Sequence, residues 1–413
     1  MTDTPATPLR IALVSLHTSP GDEPGSGEVG GMNVVVRHQA EALADLGHRV
    51  EIVTRRSSPT QPDSVEIVAG VCLRFLSAGP AQPVPKGEHD AFIEPFRAGL
   101  AELGPYDVFH AHHWFSGMAA LPVARERGVP HVQSFHSIAA DAATPLSEGE
   151  RPESAGRMEG EAFLARESDA VVAISEAEAD TVRSRLGAAA KRVVIVPPGV
   201  DGSVFRPASA ATRAAAHDRP RYVVAAARVQ PLKGLDLAIA AVAAVPEAVR
   251  PDLVIAGDAS SEATGYVEEL RALADRLGIG DRVRFVGPQS RPDLAMLFRN
   301  AGLVLVPSHS ETYGLVALEG SASGVPVVAA AAGGLREAVV DGETGVVVES
   351  RDPDVWAGVI ATVLTDPALA DQLAAAGRER AERLSWERSA EGLVETYRSV
   401  IARVEERRRS ASA

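Results

Sequence analysis

Short β-branched apolar runs alternate with longer Ala/Leu-rich stretches along most of the chain, and the whole alternation occurs twice. In the first half, strands are predicted at residues 10–15, 50–54, 71–76, 108–111, 132–135, 170–174 and 193–196. Helical periodicity occupies residues 33–46, 91–103, 116–127 and 176–186. In the second half, strands at 222–226, 253–257, 283–286, 303–306, 327–330 and 345–348 alternate with helices at 235–245, 262–277, 293–299, 315–323 and 334–340. The strands read as continuous apolar runs rather than as alternating ones. That is the signature of strands buried on both faces, so two parallel sheets flanked by helices are expected.

A Pro/Gly-rich break near residues 197–216 separates the two alternations and reads as a hinge. Beyond Asp352 the pattern is purely helical, at 353–364, 368–384 and 387–406. The last of these is long enough to cross back onto the first half. The expected organisation is a Rossmann-like domain at 1–203, a second at 204–385, and a crossover helix with its tail at 386–413.

Composition adds exclusions. The 413 residues are 46% hydrophobic and 23% charged, which rules out wholesale disorder and collagen-like repeats. The net charge of -14 disfavours a nucleic-acid partner. Cys72, the single cysteine, allows neither an intramolecular disulfide nor a cysteine-only metal site. The N-terminal stretch lacks a basic segment followed by an apolar one, and no apolar run of about 18 residues exists. No membrane span is expected, and a cytoplasmic location is. The run Glu405–Arg409 is expected to be a solvated helix end, with its arginines favoured by the helix dipole.

In sheets of this kind, ligands bind beyond the carboxyl ends of the strands, so chemistry is sought just after each one. The first strand is followed by a loop from His17 to Asn33 that ends in Gly30-Gly31 and opens a helix. Residues 25–30 formally match G-x-G-x-x-G. A dinucleotide fingerprint should follow its strand directly, however, and should be answered by an acid after the second strand, where Thr54-Arg55-Arg56 stands. An anion- or sugar-facing loop is the better reading. Arg228 and Lys233 follow the first strand of the second half and suit a diphosphate; a solvated loop is the plainer alternative. Glu311 and Glu319 flank the next helix start, with Gly314 between them. Eight residues is a little over two helical turns, so both carboxylates can face one side and accept bonds from sugar hydroxyls. His110, His112, His113 and His136 end two strands. Their roles divide among metal ligation, packing and hydrogen bonding to substrate, and His136 is the best candidate to touch a reacting centre. Asp352-Pro353-Asp354 reads as a helix N-cap rather than a metal site.

Together, the E-x7-E pair, the Arg/Lys pair and the glycine loop resemble the retaining glycosyltransferases of family 4, which have the GT-B fold. The phrases HTSP, GGMN, H-x-H-x-W-x-S-G, R-x-Q-P-L-K and GLVALE carry the likeness over nearly the whole chain. It is strongest toward the branch that glycosylates an inositol phosphate on the way to mycothiol, and sucrose-phosphate synthases share some of the phrases. The resemblance implies UDP-N-acetylglucosamine as donor. Gly31 would lie beside the donor phosphates, Arg228 and Lys233 on the diphosphate, Glu311 on the sugar and Glu319 on the ribose. Gly314, Leu315 and Val316 would flank the donor at the helix start. Gln289 stands where an arginine near the donor base is typical. The acceptor would meet His17, Gly30, Asn33, Lys86, His113, Ser137 and Arg157. Histidine at 113 replaces the family's tyrosine, and serine at 137 replaces its threonine.

The same likeness implies transfer on the face from which UDP leaves, with no carboxylate nucleophile and with His136 beside the donor sugar. No cofactor is then required, and a structural magnesium ion and a homodimer are both left open. So is the same chemistry on a lipid, an aminocyclitol or a natural product, and a UDP-sugar 2-epimerase on this fold.

Overall fold

The computed structural model describes residues 7–22, 30–140, 155–208, 222–258 and 265–412. The first half supplies β1 (Arg10–Ser15), β2 (Arg49–Arg55), β3 (Ser64–Val68), β4 (Val71–Leu76), β5 (Val108–His112), β6 (His131–Ser134), β7 (Ala170–Ala173) and β8 (Val193–Ile195). They form one sheet in the order β3-β4-β2-β1-β5-β6-β7-β8. The second sheet runs β11-β10-β9-β12-β13-β14. Its strands are β9 (Val223–Ala226), β10 (Leu253–Ala256), β11 (Val283–Gly287), β12 (Leu303–Val306), β13 (Val327–Ala330) and β14 (Val346–Val348). Chain order reverses between β1 and β5 in one sheet and between β9 and β12 in the other. Adjacent crossovers diverge to opposite faces at such a point and leave a crevice above the strand ends.

Helices cover both faces. In the first half they are α1 (Gly31–Asp45), α2 (Ile93–Ala101), α3 (Trp114–Arg127), α4 (Ala155–Glu167) and α5 (Glu176–Ser184). The second half adds α6 (Leu235–Ala244), α7 (Tyr266–Arg276), α8 (Arg291–Asn300), α9 (Leu315–Ala322) and α10 (Leu335–Ala338). The all-helical end is α11 (Pro353–Thr365), α12 (Pro367–Glu382) and α13 (Trp386–Ser412). Four helices start on capping side chains. Ser175, Ser290, Asp352 and Asp366 each cap a helix by accepting a backbone N–H two or three residues on. Asp352 is therefore a cap, as its D-x-D pattern suggested.

The two doubly wound sheets bear out the expected fold class, and the differences are local. β3 pairs antiparallel with β4 at the sheet edge, where four of its five residues are exposed and no buried run marks the strand. The expected helix at 91–103 begins as a tight 3₁₀ segment (Lys86–Phe92) before α2. That expected at 334–340 is a single turn, α10, and α4 was not foreseen.

The last helix does cross back. Trp386, Leu393, Tyr397 and Val400 of α13 are buried with Val35, Ala40 and Leu43 of α1. Two of its polar groups are anchored deep in the interface: Ser389 Oγ accepts from Gln39 Nε2 at 3.1 Å, and the Tyr397 hydroxyl donates to His110 Nδ1 at 2.7 Å. His110 Nε2 then donates to Ser134 Oγ (2.9 Å), whose own proton goes to the Val172 carbonyl (3.0 Å). Every member of that chain has one defined role, so His110 is a neutral imidazole, and burial holds it well below its usual range. The arginine-rich end is not simply solvated: Arg407 pairs with Asp169, and Arg403 and Arg408 donate to the carbonyls of Asp169 and Arg127.

Replacing Tyr397 by Phe leaves His110 Nδ1 as a buried, unmet acceptor. Urea unfolding should show a loss of about 1–3 kcal/mol; an unchanged midpoint would mean the anchor carries no weight.

Candidate active site in the cleft

The loops that follow β1, β5, β6, β9 and β12 converge above the two switch points. On the second sheet, the loop after β9 carries Arg228 and Lys233. It closes on Gly234, which sits at φ +63° and is so near the Pro307 carbonyl that any side chain would collide with it. This close approach brings Lys233 to the loop after β12, and its Nζ lies 2.5 Å from Glu311 Oε1. Ser308 Oγ donates to the same carboxylate oxygen at 3.2 Å. A small pocket lies between these groups and the ends of β9 and β12. Arg228 reaches the other lobe: a Cβ on Gly30 would stand 3.5 Å from its Nε. One on Gly31 would stand 3.4 Å from Leu315 Cδ1. Gly314 caps α9 in a left-handed conformation, φ +107°, with Leu315 and Val316 beginning the helix.

The two carboxylates are not aligned by helix geometry. α9 begins only at Leu315, so Glu311 belongs to the loop and Glu319 to the helix. Glu311 is engaged by Lys233; Glu319 is buried and paired with Arg291. Arg291, the first residue of α8, also lies with its guanidinium carbon 4.5 Å from the centre of the Phe205 ring. The expected donor-base residue Gln289 folds back, its amide donating to the carbonyls of Val286, Gly287 and Pro288.

On the first sheet, His136 follows β6 at φ +59°. Its Nε2 is 2.8 Å from His112 Nδ1, the rings stacked with centres 5.1 Å apart. His136 as a residue is half-buried. Desolvation still pushes its pKa down to about 3, so the ring is neutral at ordinary pH. Its carbonyl accepts from Thr312 Oγ1 at 2.8 Å, a bond between the two lobes. Glu337 makes a second one, receiving the N–H groups of Glu176 and Ala177 at 2.8 and 3.0 Å, a carboxylate at a helix N-terminus.

The expected acceptor residues gather on this lobe. Arg157 is buried, pairs with Glu161 (2.8 Å), and donates from Nη2 to both the carbonyl and the hydroxyl of Ser137 (3.1 Å each). Glu161 also accepts the Ala139 N–H at 2.9 Å, so one buried pair shapes the whole 137–139 turn. The rings of His17 and His113 meet with centres 4.4 Å apart, and His89 lies 6.0 Å from His17. Asn33 is turned away, donating to Thr18 Oγ1 (2.8 Å) and the Ser19 carbonyl (2.7 Å) to close the loop after β1. The Lys86 side chain and residues 23–29 of the glycine loop lie outside the described residues. Among the described residues, no three His, Cys, Asp or Glu side chains are grouped to hold a metal ion.

Several residues here were not singled out in the sequence. Arg291 and Thr312 gave no motif, because their roles come from partners far along the chain. Glu178 did leave a signal, the S-x-x-E box from Ser175 to Glu178. Ser175 Oγ accepts the Glu178 N–H at 3.0 Å, but the carboxylate turns inward. It accepts the Ile174 N–H at 2.8 Å and lies against the His136 N–H. Burial, with Glu161 nearby, pushes Glu178 up to about 7 despite those backbone donors.

Residues 29–204 match a family model described as Glycosyltransferase Family 4, and residues 210–380 match one described as Glycosyl transferases group 1. A protein from Thermobifida fusca (strain YX) named D-inositol 3-phosphate glycosyltransferase is 41% identical over 95% of this chain and 94% of its own length. One of the same name from Kribbella flavida is 42% identical over 97% and 98%. Among solved structures, sucrose-phosphate synthase from Thermosynechococcus elongatus superposes with a TM-score of 0.88 at 29% identity, over 95% of this chain and 99% of that one. Anabaena HepE in complex with UDP and glucose shares the fold, with a TM-score of 0.74 at 21% identity over 95% and 100%.

The Glu178 carboxyl sits above its unfolded value, so its contribution to stability is complete below about pH 4.5 and fades as pH rises toward 7. Over that window the wild type should lose about 1–3 kcal/mol relative to Glu178→Gln. Parallel pH–stability curves in urea would refute the raised carboxyl.

Proposed function

This chain belongs to the family 4 and group 1 glycosyltransferases, and from that premise we propose that it moves N-acetylglucosamine from UDP-N-acetylglucosamine to an inositol phosphate, with retention at the anomeric carbon. The observation that carries the reading is the meeting of two unlike sets of side chains across one cleft. Arg228, Lys233, Glu311 and Glu319 stand at the strand ends of one lobe; Arg157, Ser137, His113 and His17 stand on the other. The relatives named D-inositol 3-phosphate glycosyltransferase support the choice of acceptor.

In this reading the diphosphate lies over the N-terminus of α9, between Arg228 and Lys233. Both cations and the free helix amides stabilise the charge that develops as UDP departs. Glu311 holds Lys233 in place before any ligand arrives, so little reorganisation is needed at the moment of bond breaking. The sugar lies between Glu311 and His136. Neutral His136 contacts a sugar hydroxyl and takes no part as a base, in keeping with its lowered pKa. The acceptor hydroxyl approaches on the face that UDP vacates, and its phosphate is met by Arg157, Ser137 and the His17–His113 pair. Positive charge from Arg228 and Lys233 makes a divalent metal unnecessary for leaving-group stabilisation. A cytoplasmic reaction belongs to the same proposal. Because His113 and Ser137 replace larger residues of the family pattern, the pocket is shaped differently while keeping groups able to donate to phosphate.

The test is UDP release from UDP-N-acetylglucosamine against inositol phosphates, free inositols and aminocyclitols, with the anomeric configuration of the product read by NMR. Preference for a neutral cyclitol, or an inverted product, would overturn the reading. Lys233→Ala should lower kcat by about 10²–10³-fold, the scale for losing one charge-stabilising donor; unchanged turnover would remove Lys233 from the leaving-group site. Glu319→Gln should raise the donor KM with little change in kcat, and equal donor KM values would contradict a ribose contact.

A further inference from the structure

Glu319 does not wait alone for its ligand. Arg291 Nη1 is bonded to Glu319 Oε1, and both side chains are largely withdrawn from water, 18% and 5% exposed. The other terminal nitrogen of the same guanidinium, Nη2, is buried with no hydrogen-bond partner among the described residues. The fork cannot swing freely to find one. It is fixed at one end by Glu319 and over one face by Phe205, and it leaves the first position of a capped helix. A rigid N–H held out of water without an acceptor costs free energy unless something arrives to use it.

The chemistry of the expected ligand suits what is left over. A ribose hydroxyl is both donor and acceptor. A carboxylate can take only its proton, which leaves its lone pairs unmet once the site has closed over it. A guanidinium N–H beside that carboxylate supplies the missing donor. We propose that Arg291 is a second ribose-recognition residue, donating from Nη2 to a hydroxyl whose proton is taken by Glu319. This rests on the reading of Glu319 as a ribose contact and extends it: the diol is recognised by an acid–guanidinium pair rather than by an acid alone. Arg291 therefore contributes both by orienting Glu319 and by its own contact. Nucleotides lacking the hydroxyls lose both.

The test is UDP affinity by calorimetry, which needs no turnover. Arg291→Met keeps side-chain bulk over Phe205 and should weaken UDP binding by about 10- to 100-fold, the scale for a charged hydrogen bond. It should raise donor KM without lowering kcat. Glu319→Gln and the double variant decide whether Arg291 acts directly, and the double variant also avoids leaving a buried charge unpaired. If Arg291 touches the ribose, Arg291→Met still weakens UDP in the Glu319→Gln background. If it only orients Glu319, it costs nothing further there, and the proposal falls. A third arm compares UDP with 2′,3′-dideoxy-UDP. The wild type should prefer UDP, and Arg291→Met should narrow that preference. Tighter UDP binding by Arg291→Met would show instead that the arginine competes with the ribose, and unchanged binding that it plays no part; either result overturns the proposal. Failure of the wild-type protein to bind UDP at all would defeat the glycosyltransferase donor reading itself, and this inference with it.

Discussion

A parallel sheet buried on both faces can meet a ligand only from the ends of its strands, and this molecule sets two such ends face to face. Almost every feature of the cleft follows from that constraint. His17, His113, His136, Arg228 and Glu311 each sit within a few positions of the last residue of β1, β5, β6, β9 or β12. The helices that open there, α1 and α9, turn their unbonded N–H groups toward the same space. Hydrogen bonds between the lobes include those from Thr312 to the His136 carbonyl and from the start of α5 to Glu337.

The charges in the cleft are paired before any ligand arrives. Lys233 with Glu311, Arg291 with Glu319 and Arg157 with Glu161 are each at least partly withdrawn from solvent. Breaking one such pair costs more than the pair itself contributes, because the survivor is left desolvated. Their value is geometric. Each fixes a cation in the cleft before a ligand is bound.

The histidines divide by the same logic. His110 has a partner on both nitrogens and serves the fold, joining β5 to the crossover helix through Tyr397. Its ring lies against His112, with centres 4.3 Å apart, and His112 in turn bonds His136 at the cleft edge. Packing of α13 is thus continuous with the ring proposed to meet the sugar. Glu178 braces the same turn from below, at the His136 N–H.

The chain's own pattern determined the architecture. Continuous β-branched runs require burial on both faces, so strand order and the exposed edge strand β3 aside, the two sheets were legible. The Arg228–Lys233 spacing and the Glu311–Glu319 spacing marked one wall of the cleft. Tertiary structure decided which groups are engaged and with whom. The partners of Glu319, His110 and His136 lie 28, 287 and 176 residues away, and separations of that size have no period to read. It also turned Asn33 and Gln289 onto their own loops, and drew the Glu178 carboxylate of a capping box into the interior. A side chain's type states what bonds it can make; only the folded surroundings, by removing water, decide which of them it must make.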